Sequence, residues 1–311
     1  GRTKLLKFEG HFHGWHDYVT AAVRPPFDVP ISTGVPRETL STVVAVPPND
    51  IQAVDVAISA GDVACVILEP AGGSNGTIPT RPGFLAKLRD LTAHAGVVLI
   101  FDEVISGFRY APGGAQQCYG VFPDLSTLAK IVAGGLPGGA VVGKREIMEL
   151  LEIRDDIQWN RHRRIAHPGT FNANPLSAAA GIATLEIVEQ GQATAHANKM
   201  GDALRQGLND AIRRRGVQGR VYGAASVFKL LLGDGSPQVE IDEPASYADH
   251  QTLLAGLRNL STPFRRALLL EGVDLMGNSG MTSAVHSPND IQQTIEAFER
   301  ALARLKKEQY L

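Results

Sequence analysis

The sequence predicts an α/β protein with a mostly parallel central sheet flanked by helices, followed by a smaller α/β domain. Short apolar runs typical of buried strands alternate with helical patterns over residues 5–103, and this order of elements builds parallel sheets with helices on both faces. At 311 residues and 44% hydrophobic composition, the chain can bury a sizeable core and divide into a large and a small domain.

The elements of the large domain follow in a regular order. Strands are predicted for LLKF (5–8), TVVAV (42–46), VACVILEP (63–70) and VVLIFDE (97–103). Helices are predicted between them for NDIQAVDVAISA (49–60) and GFLAKLRDLTAHAG (83–96). A glycine-rich region then leads into the strand-like AVVG (140–143).

A long helical pattern forms the predicted bridge to the smaller domain. It begins near Asn174, breaks near Gly191 and continues to residue 216. A strand at VFKLLL (227–232) and an amphipathic helix at residues 291–307 follow. We therefore expect a large domain over residues 1–190 and a small domain over residues 191–311.

Composition limits the function classes. A net charge of −2 gives no reason to expect nucleic acid or an anionic membrane as partner. No apolar run approaches the ~20 residues of a membrane span, and no signal-peptide layout is present. With two cysteines, a disulfide framework or a cysteine zinc site is not expected, and the composition predicts a cytoplasmic protein. Because the chain starts with Gly1 and enters a strand almost at once, we expect that an N-terminal portion is missing.

Polar residues follow three of the predicted strands. They are the histidines after LLKF, Glu69 after VACVIL, and Asp102 with Glu103 after VVLIF. A single acid at such a point is more often a cap or a solvated loop residue. Ligands of open α/β sheets bind at the carboxyl ends of the strands, so three such ends together favour a site.

Two alternative sites have partial sequence support. His11 and His13 would lie on one face of an extended chain and could chelate a metal ion. The segment GGAVVGKR (138–145) nearly matches the phosphate loop of nucleotide hydrolases, but Arg145 stands where a hydroxyl should bind magnesium.

Lys130 has apolar neighbours in DLSTLAKIVAGG. A lysine in apolar surroundings loses its proton more readily, and its free amine can condense with a carbonyl group. Alone, Lys130 would more simply be a surface residue at the end of a strand. Asp102 could however pair with a protonated pyridine nitrogen, and a lysine Schiff base with such an acid is the arrangement used for pyridoxal phosphate.

At these residues the sequence resembles the class III pyridoxal-phosphate aminotransferases of fold type I, in particular the glutamate-1-semialdehyde 2,1-aminomutase group. The resemblance spans essentially the whole chain and is most specific over residues 101–144. It rests on KFEGHFHGWHD (7–17), ILEPAGGSNG (67–76), the block from FDEV to VVGK (101–144), HPGTFNANPLSAAAG (167–181) and SAVHSPNDIQQTIEAFERAL (283–302).

The resemblance implies roles around the cofactor ring. Lys130 would carry pyridoxal 5'-phosphate and move the substrate proton, and Asp102 would pair with the pyridine nitrogen. Val104, taken to share a face of the extended chain with Asp102, would pack one side of the ring. The other side would be covered at Phe12, His13 and Gly14, so the first histidines need no metal.

The resemblance implies further contacts around the cofactor. Thr170 would reach across a homodimer interface to the partner's cofactor phosphate, which places the active site at that interface. Glu69 and Ser74 would line the phenolic-oxygen and substrate side of the cofactor.

Three departures from the family pattern affect the expected substrate and the expectation that an N-terminal portion is missing. Ser74 replaces an expected asparagine, the segment GVDLMGNSGMTSAVH (272–286) lacks an expected aromatic-acidic stretch, and the phosphate-binding Ser-Gly-Thr loop should precede Gly1. The expected function is amino-group transfer on small amino and oxo substrates, as an aminomutase or as an intermolecular transaminase of an amine or β-amino acid with a keto acid. A catalytically silent fragment and a P-loop ATPase are weaker alternatives.

Overall fold

The secondary structure follows the predicted alternation of strands and helices. A computed structural model of the chain describes residues 1–233, 250–255 and 257–311. In chain order the strands are β1 (Lys4–Phe8), β2 (Val43–Val46), β3 (Val63–Leu68), β4 (Ile78–Pro79), β5 (Val98–Asp102), β6 (Leu125–Ala129), β7 (Gly139–Gly143), β8 (Gly219–Tyr222), β9 (Val227–Leu232) and β10 (Ser279–Met281).

The helices occupy the connections between these strands. They are α1 (Arg37–Leu40), α2 (Ile51–Ser59), α3 (Gly73–Gly76), α4 (Phe84–Ala95), α5 (Gly114–Tyr119), α6 (Arg145–Met148), α7 (Ile157–His162), α8 (Pro175–Glu189), α9 (Gln192–Arg215), α10 (His250–Ala255), α11 (Ser261–Leu270) and α12 (Pro288–Lys307). Short 3-10 helices lie at Asp17–Val19, Lys130–Ala133, Glu149–Leu151 and Arg258–Leu260.

Six strands form the central sheet in the order β2-β1-β3-β5-β6-β7. Strands from β2 to β6 are parallel, and β7 at the edge runs antiparallel to β6. The predicted, mostly parallel α/β fold is therefore confirmed. The strand order reverses between β1 and β3, and such a reversal opens a crevice for ligands at the carboxyl ends of the strands.

The middle of this sheet is buried because its strands are apolar on both faces. Helices α2 and α4 pack together and contribute to the same core. The most deeply buried side chains of this core are Leu6, Val54, Val66, Leu88, Leu99 and Phe101.

The long helical pattern begins and breaks where the sequence predicts. The Asn174 side chain caps α8 by accepting from Leu176 N at 3.0 Å and Ser177 N at 3.2 Å. Gly191 has a left-handed φ of 74° and separates α8 from α9. A residue with a Cβ adopts this conformation only with strain.

A second, antiparallel sheet has the order β10-β9-β8. Phe228, Leu230 and Leu232 on one face of β9 pack in a separate core with α9, α11 and α12. The opposite face contacts the segment between α3 and β4, where Tyr222 Oη donates to Thr77 O at 2.8 Å. The domain division at residues 190/191 stays a prediction, and its small part includes residues outside the described ranges.

Two sequence interpretations change at β6 and β7. The sequence analysis gave no bounds for β6, although it considered Lys130 as a surface residue at the end of a strand, and β6 does end directly before Lys130. The phosphate-loop interpretation of residues 138–145 is wrong, because Gly139–Gly143 is a strand paired with β6 and Lys144 Nζ binds Asp124 Oδ1 at 2.7 Å. Backbone groups engaged in a ladder do not cradle a phosphate. Over the described residues, no helix has the length and apolar character needed to span a membrane.

Candidate active site

The carboxyl ends of the parallel strands bring the predicted polar residues together. The segment after β1 contacts both Glu69, which follows β3, and Asp102, which ends β5. These contacts lie at the reversal of strand order. The predicted convergence of three strand ends is thus present in the fold.

Asp102 is held by a histidine at this edge. Its Oδ2 atom lies 2.8 Å from His13 Nδ1, and the two side chains are 9% and 1% exposed. Asp102 Oδ1 accepts from Val104 N at 3.1 Å and from Thr127 Oγ1 at 3.4 Å. His13 Nε2 is buried with no hydrogen-bond partner among the described residues. The pair therefore fixes a carboxylate in a nearly dry site with one imidazole nitrogen still unpaired.

Glu69 ties the segments after β1 and β3 to each other. Its buried carboxylate accepts from Phe12 N at 2.9 Å, Ser74 N at 2.9 Å and Asn75 N at 2.8 Å. Ser74 and Asn75 both have left-handed backbone angles, a strained state that the shared acceptor stabilises. Burial raises the pKa of Glu69, although His13 and the backbone N–H donors act in the opposite direction.

His11 is engaged within the same network. Its Nδ1 atom accepts from Glu69 N at 3.0 Å, so the Nδ1 atom carries no proton. Burial lowers the pKa of His11 well below its usual value, and His13 and Lys7 add to the effect. The ring is therefore neutral near pH 7. Among the described residues, no three His, Cys, Asp or Glu side chains gather as a metal site.

Phe12 lies open beside this buried network. Its side chain is 47% exposed, while its backbone N–H is held by Glu69. Gly14 has a φ of +91°, and a Cβ added there would meet nothing within 4 Å. The aromatic ring is thus fixed at its backbone and free to cover a flat ligand.

Lys130 begins a 3-10 turn directly after β6 and has a left-handed φ of 53°. The predicted apolar surroundings are wrong, because the side chain is exposed. β6 ends at Ala129 and the chain turns at Lys130, so the exposed lysine lies at the carboxyl end of this strand. The turn after Lys130 packs closely against α8. A Cβ atom added at Gly134 would lie 2.3 Å from Ala180 O.

Val104 and Thr170 are placed differently from the strand-end residues. β5 ends at Asp102 and Val104 lies in a turn, so the argument from a shared face of an extended chain is wrong. Thr170 is exposed in the connection before α8. Its neighbours Phe171 and Asn174 line a cavity of about 570 Å³ together with Val132 and Gly138, which follow Lys130.

Comparison with known proteins decides the family. The family model of class III aminotransferases matches residues 1–229. The chain belongs to this family. Glutamate-1-semialdehyde 2,1-aminomutase of Ignicoccus hospitalis is 38% identical over 310 residues, which cover 97% of this chain and 69% of that protein.

Two solved transaminases share the fold of this class III aminotransferase chain. An omega-transaminase from Sphaerobacter thermophilus matches with a TM-score of 0.84 and 31% identity, over 98% of this chain and 69% of its own. A transaminase with PLP bound matches with a TM-score of 0.82 and 26% identity, over 100% of this chain and 69% of its own. The chain thus spans about two thirds of the length of these proteins.

The predictions of family, fold, pyridoxal phosphate as cofactor and amino-group transfer are confirmed by these comparisons. The roles of individual residues in the class III aminotransferase site stay predictions. The geometry fits the cofactor, since Asp102 is a buried, oriented carboxylate, Phe12 offers an open ring, and Lys130 exposes an amine from a strained turn.

Sequence reasoning missed several residues of the class III aminotransferase site. Thr127 contacts Asp102 from β6, a strand whose bounds were not predicted. Asn75 shares the Glu69 carboxylate with Ser74, and His11 was considered only as a metal ligand. Asparagine followed by glycine is a common signal of left-handed backbone and could have identified Asn75.

Proposed function

We propose that this chain acts as a glutamate-1-semialdehyde 2,1-aminomutase-like enzyme, which exchanges an amino and an oxo group on one small substrate. The buried pair of Asp102 and His13, at the crevice where the strand order reverses, is the observation that supports the proposal most directly. The similarity to the Ignicoccus aminomutase over 97% of the chain supports the particular reaction.

Bound pyridoxal phosphate supplies an electron sink for the carbanion formed when a substrate loses a proton. Asp102 holds a proton at the pyridine nitrogen, and His13 orients the carboxylate through Nδ1. Lys130 Nζ removes and returns the proton at the substrate carbon. Phe12 and Val104 would hold the two faces of the cofactor ring, and Gly14 would leave clearance beside it.

The remaining predicted contacts surround this centre. Glu69 and Ser74 line the phenolic-oxygen and substrate side, and the hydrogen bonds of Glu69 set the position of the Phe12 backbone. Thr170 donates to the cofactor phosphate of a partner subunit. Its exposure in the described chain is consistent with a role outside its own subunit.

We further propose a cytoplasmic homodimer with large and small domains divided at residues 190/191. The exposed edge strand β7, with Val141 and Val142 both exposed, supports a covering partner. Light scattering combined with a mixture of Lys130→Ala and Thr170→Val subunits tests the shared site. A monomer, or mixed dimers with only the additive activity of the two variants, would contradict it.

An intermolecular transaminase is the second candidate, supported by the structural match to the Sphaerobacter omega-transaminase and by Ser74 in place of the expected asparagine. The two reactions differ in whether a keto acid is needed. The cofactor-loaded protein should convert glutamate-1-semialdehyde to the isomer with exchanged amino and oxo groups without any keto acid. Conversion of an amine only when a keto acid is added would favour the transaminase.

A further inference from the structure

Lys229 is a lysine with a buried side chain that the proposed mechanism does not use. It is the third residue of β9 and is 5% exposed. Among the described residues, its Nζ atom makes no hydrogen bond or ion pair and is not one of the fully enclosed polar atoms, so the ammonium group reaches accessible space. Burying such a cation is unfavourable unless an anion or acceptor meets it.

Lys7 is a buried lysine of the same fold whose ammonium group has hydrogen-bond acceptors. It is fully buried, and its Nζ atom donates to His11 O and Ala21 O. Lys7 therefore has a structural role that needs no ligand. Lys229 has three N–H donors and no equivalent acceptors in the described chain.

The strand register places Lys229 on the face of the small sheet that meets the large domain. Lys229 pairs with Tyr222 across β9 and β8, and cross-strand partners share a face. Tyr222 Oη donates to Thr77 O at 2.8 Å, and Thr77 Oγ1 donates to Ser74 O at 2.8 Å. Lys229 therefore faces the turn that carries Ser74, on the predicted substrate side.

Glu69 is the acid that acts electrostatically on Lys229, but it is not the missing partner. Burial lowers the pKa of Lys229 to about 8, and Glu69 partly offsets this effect. The Glu69 carboxylate already accepts three backbone N–H groups. Among the described residues, no hydrogen bond or ion pair joins this carboxylate to Lys229 Nζ, so the two groups interact only through their charges.

We propose that Lys229 binds the carboxylate of the substrate and selects carboxylate-bearing amino compounds over simple amines. This inference rests on the proposed function. The cationic Nζ atom supplies a charge-assisted hydrogen bond at the interface of the two sheets.

Direct binding tests the inference without relying on turnover. The cofactor-loaded protein is titrated by calorimetry with glutarate and, as an uncharged match, 1,5-pentanediol. Lys229→Met should weaken glutarate binding at least about tenfold, the effect of losing a charged hydrogen bond. Lys229→Arg should retain most of the affinity, and Lys199→Met, an exposed lysine of α9, should leave it unchanged.

A half-reaction separates recognition from chemistry. With 4-aminobutyrate, Lys229→Met should raise KM about tenfold with little change in kcat, and with n-butylamine neither constant should change. Equal glutarate affinity in wild type and Lys229→Met, or equal losses for both amines, would overturn the inference.

The inference and the proposed function can fail separately. If neither amine changes the cofactor spectrum of the wild type while glutarate binding still depends on Lys229, amino-group transfer is contradicted and the carboxylate site is supported. If Lys229→Met does not fold, glutarate affinity is compared between wild type and the Lys229→Arg and Lys229→Gln variants instead. Loss of glutarate binding in both of them would then contradict a simple charge contact.

Discussion

Two parts of the candidate active site differ in how they are held. The edge at β1, β3 and β5 is buried and cross-linked, with His13 on Asp102 and three backbone donors on Glu69. The segments that carry Lys130 and Thr170 are exposed, and neither side chain has a hydrogen-bond partner among the described residues.

The buried, hydrogen-bonded residues and the exposed residues are suited to different roles. A carboxylate that stabilises charge on a cofactor acts best when it is preorganised in a dry site. A lysine that binds and releases a carbonyl carbon, and a threonine that contacts another subunit, need freedom to move. Variants on the buried side should therefore alter stability or charge, while variants on the exposed side should alter chemistry with little effect on folding.

The largest expected effect is on the exposed side. Lys130→Ala should lower turnover by about 10²–10⁴-fold or more, because it removes the residue proposed to move the proton. The free energy of unfolding should change little, since the side chain is exposed. Lys199→Ala serves as the control and should leave both quantities unchanged. Borohydride reduction and peptide mapping check the assignment, and a pyridoxyl label on Lys144 instead would refute it.

A pair of neighbouring acids tests the buried side. Asp102→Asn should lower kcat on the order of 10²-fold, because an amide does not hold the ring nitrogen protonated, while stability is kept or raised. Glu103→Gln should instead lower stability by about 1–3 kcal/mol. The Glu103 carboxylate accepts from Ser106 Oγ at 2.6 Å, Ala115 N at 2.8 Å and Gln116 N at 3.0 Å.

Activity and chemical denaturation of the two variants decide this comparison. If Asp102→Asn is as active as wild type, Asp102 has no role at the ring nitrogen. If Glu103→Gln loses activity but not stability, the structural role of Glu103 is wrong.

Thr170→Val should have a smaller effect confined to cofactor affinity. The hydroxyl has no hydrogen bond in the described chain, so stability should be unchanged. Loss of one hydrogen bond to a charged phosphate should weaken pyridoxal phosphate binding by about tenfold. A cofactor titration measures it, with Thr33→Val, in the exposed loop before α1, as the control. Equal affinity in both variants would remove Thr170 from the phosphate site.

The smallest expected effect is a pH dependence of stability from His11. Because its folded pKa lies well below 6.5, the unfolded chain binds more protons below that value. Stability should therefore fall as the pH drops through 6.5, by up to ~1.4 kcal/mol per pH unit for one proton. His11→Gln should flatten this slope, whereas His94→Gln, at an exposed ring of α4, should not. Identical slopes in both variants would contradict a buried neutral His11.

Much of the fold was predictable because its signals are local. The apolar run before Glu69 indicates the end of a strand within a few residues, and Asn174 likewise indicates the start of a helix. β6 gave no such signal, since LSTLA is short and mixes polar with apolar residues. The sequence left the exposure of Lys130 open between apolar surroundings and a surface position at a strand end, because apolar neighbours in sequence do not fix the surroundings in space, and the structure has the exposed position.

The site was predictable as a set of strand ends but not as a network. The hydrogen bond from Glu69 N to His11 Nδ1 joins residues 58 positions apart, and the contact of Asp102 with His13 spans 89 positions. Single-sequence patterns carry no pairing information over such distances. Lys229 was hidden inside an apolar run, where its charge could be recognised as unusual only after its surroundings were known.

The hydrogen bonds that Glu69 accepts from two different segments affect how substrate preference can be altered. Its Oε1 atom accepts from both Phe12 N and Ser74 N, so the proposed ring-covering residue and the proposed substrate turn depend on one carboxylate oxygen. Any redesign of residues 74 and 75 that rotates this carboxylate also displaces the backbone of Phe12. Laboratory selection for a new amino donor at this turn should therefore yield variants that lose cofactor retention together with their old specificity, and compensating changes should accumulate around residues 11–14.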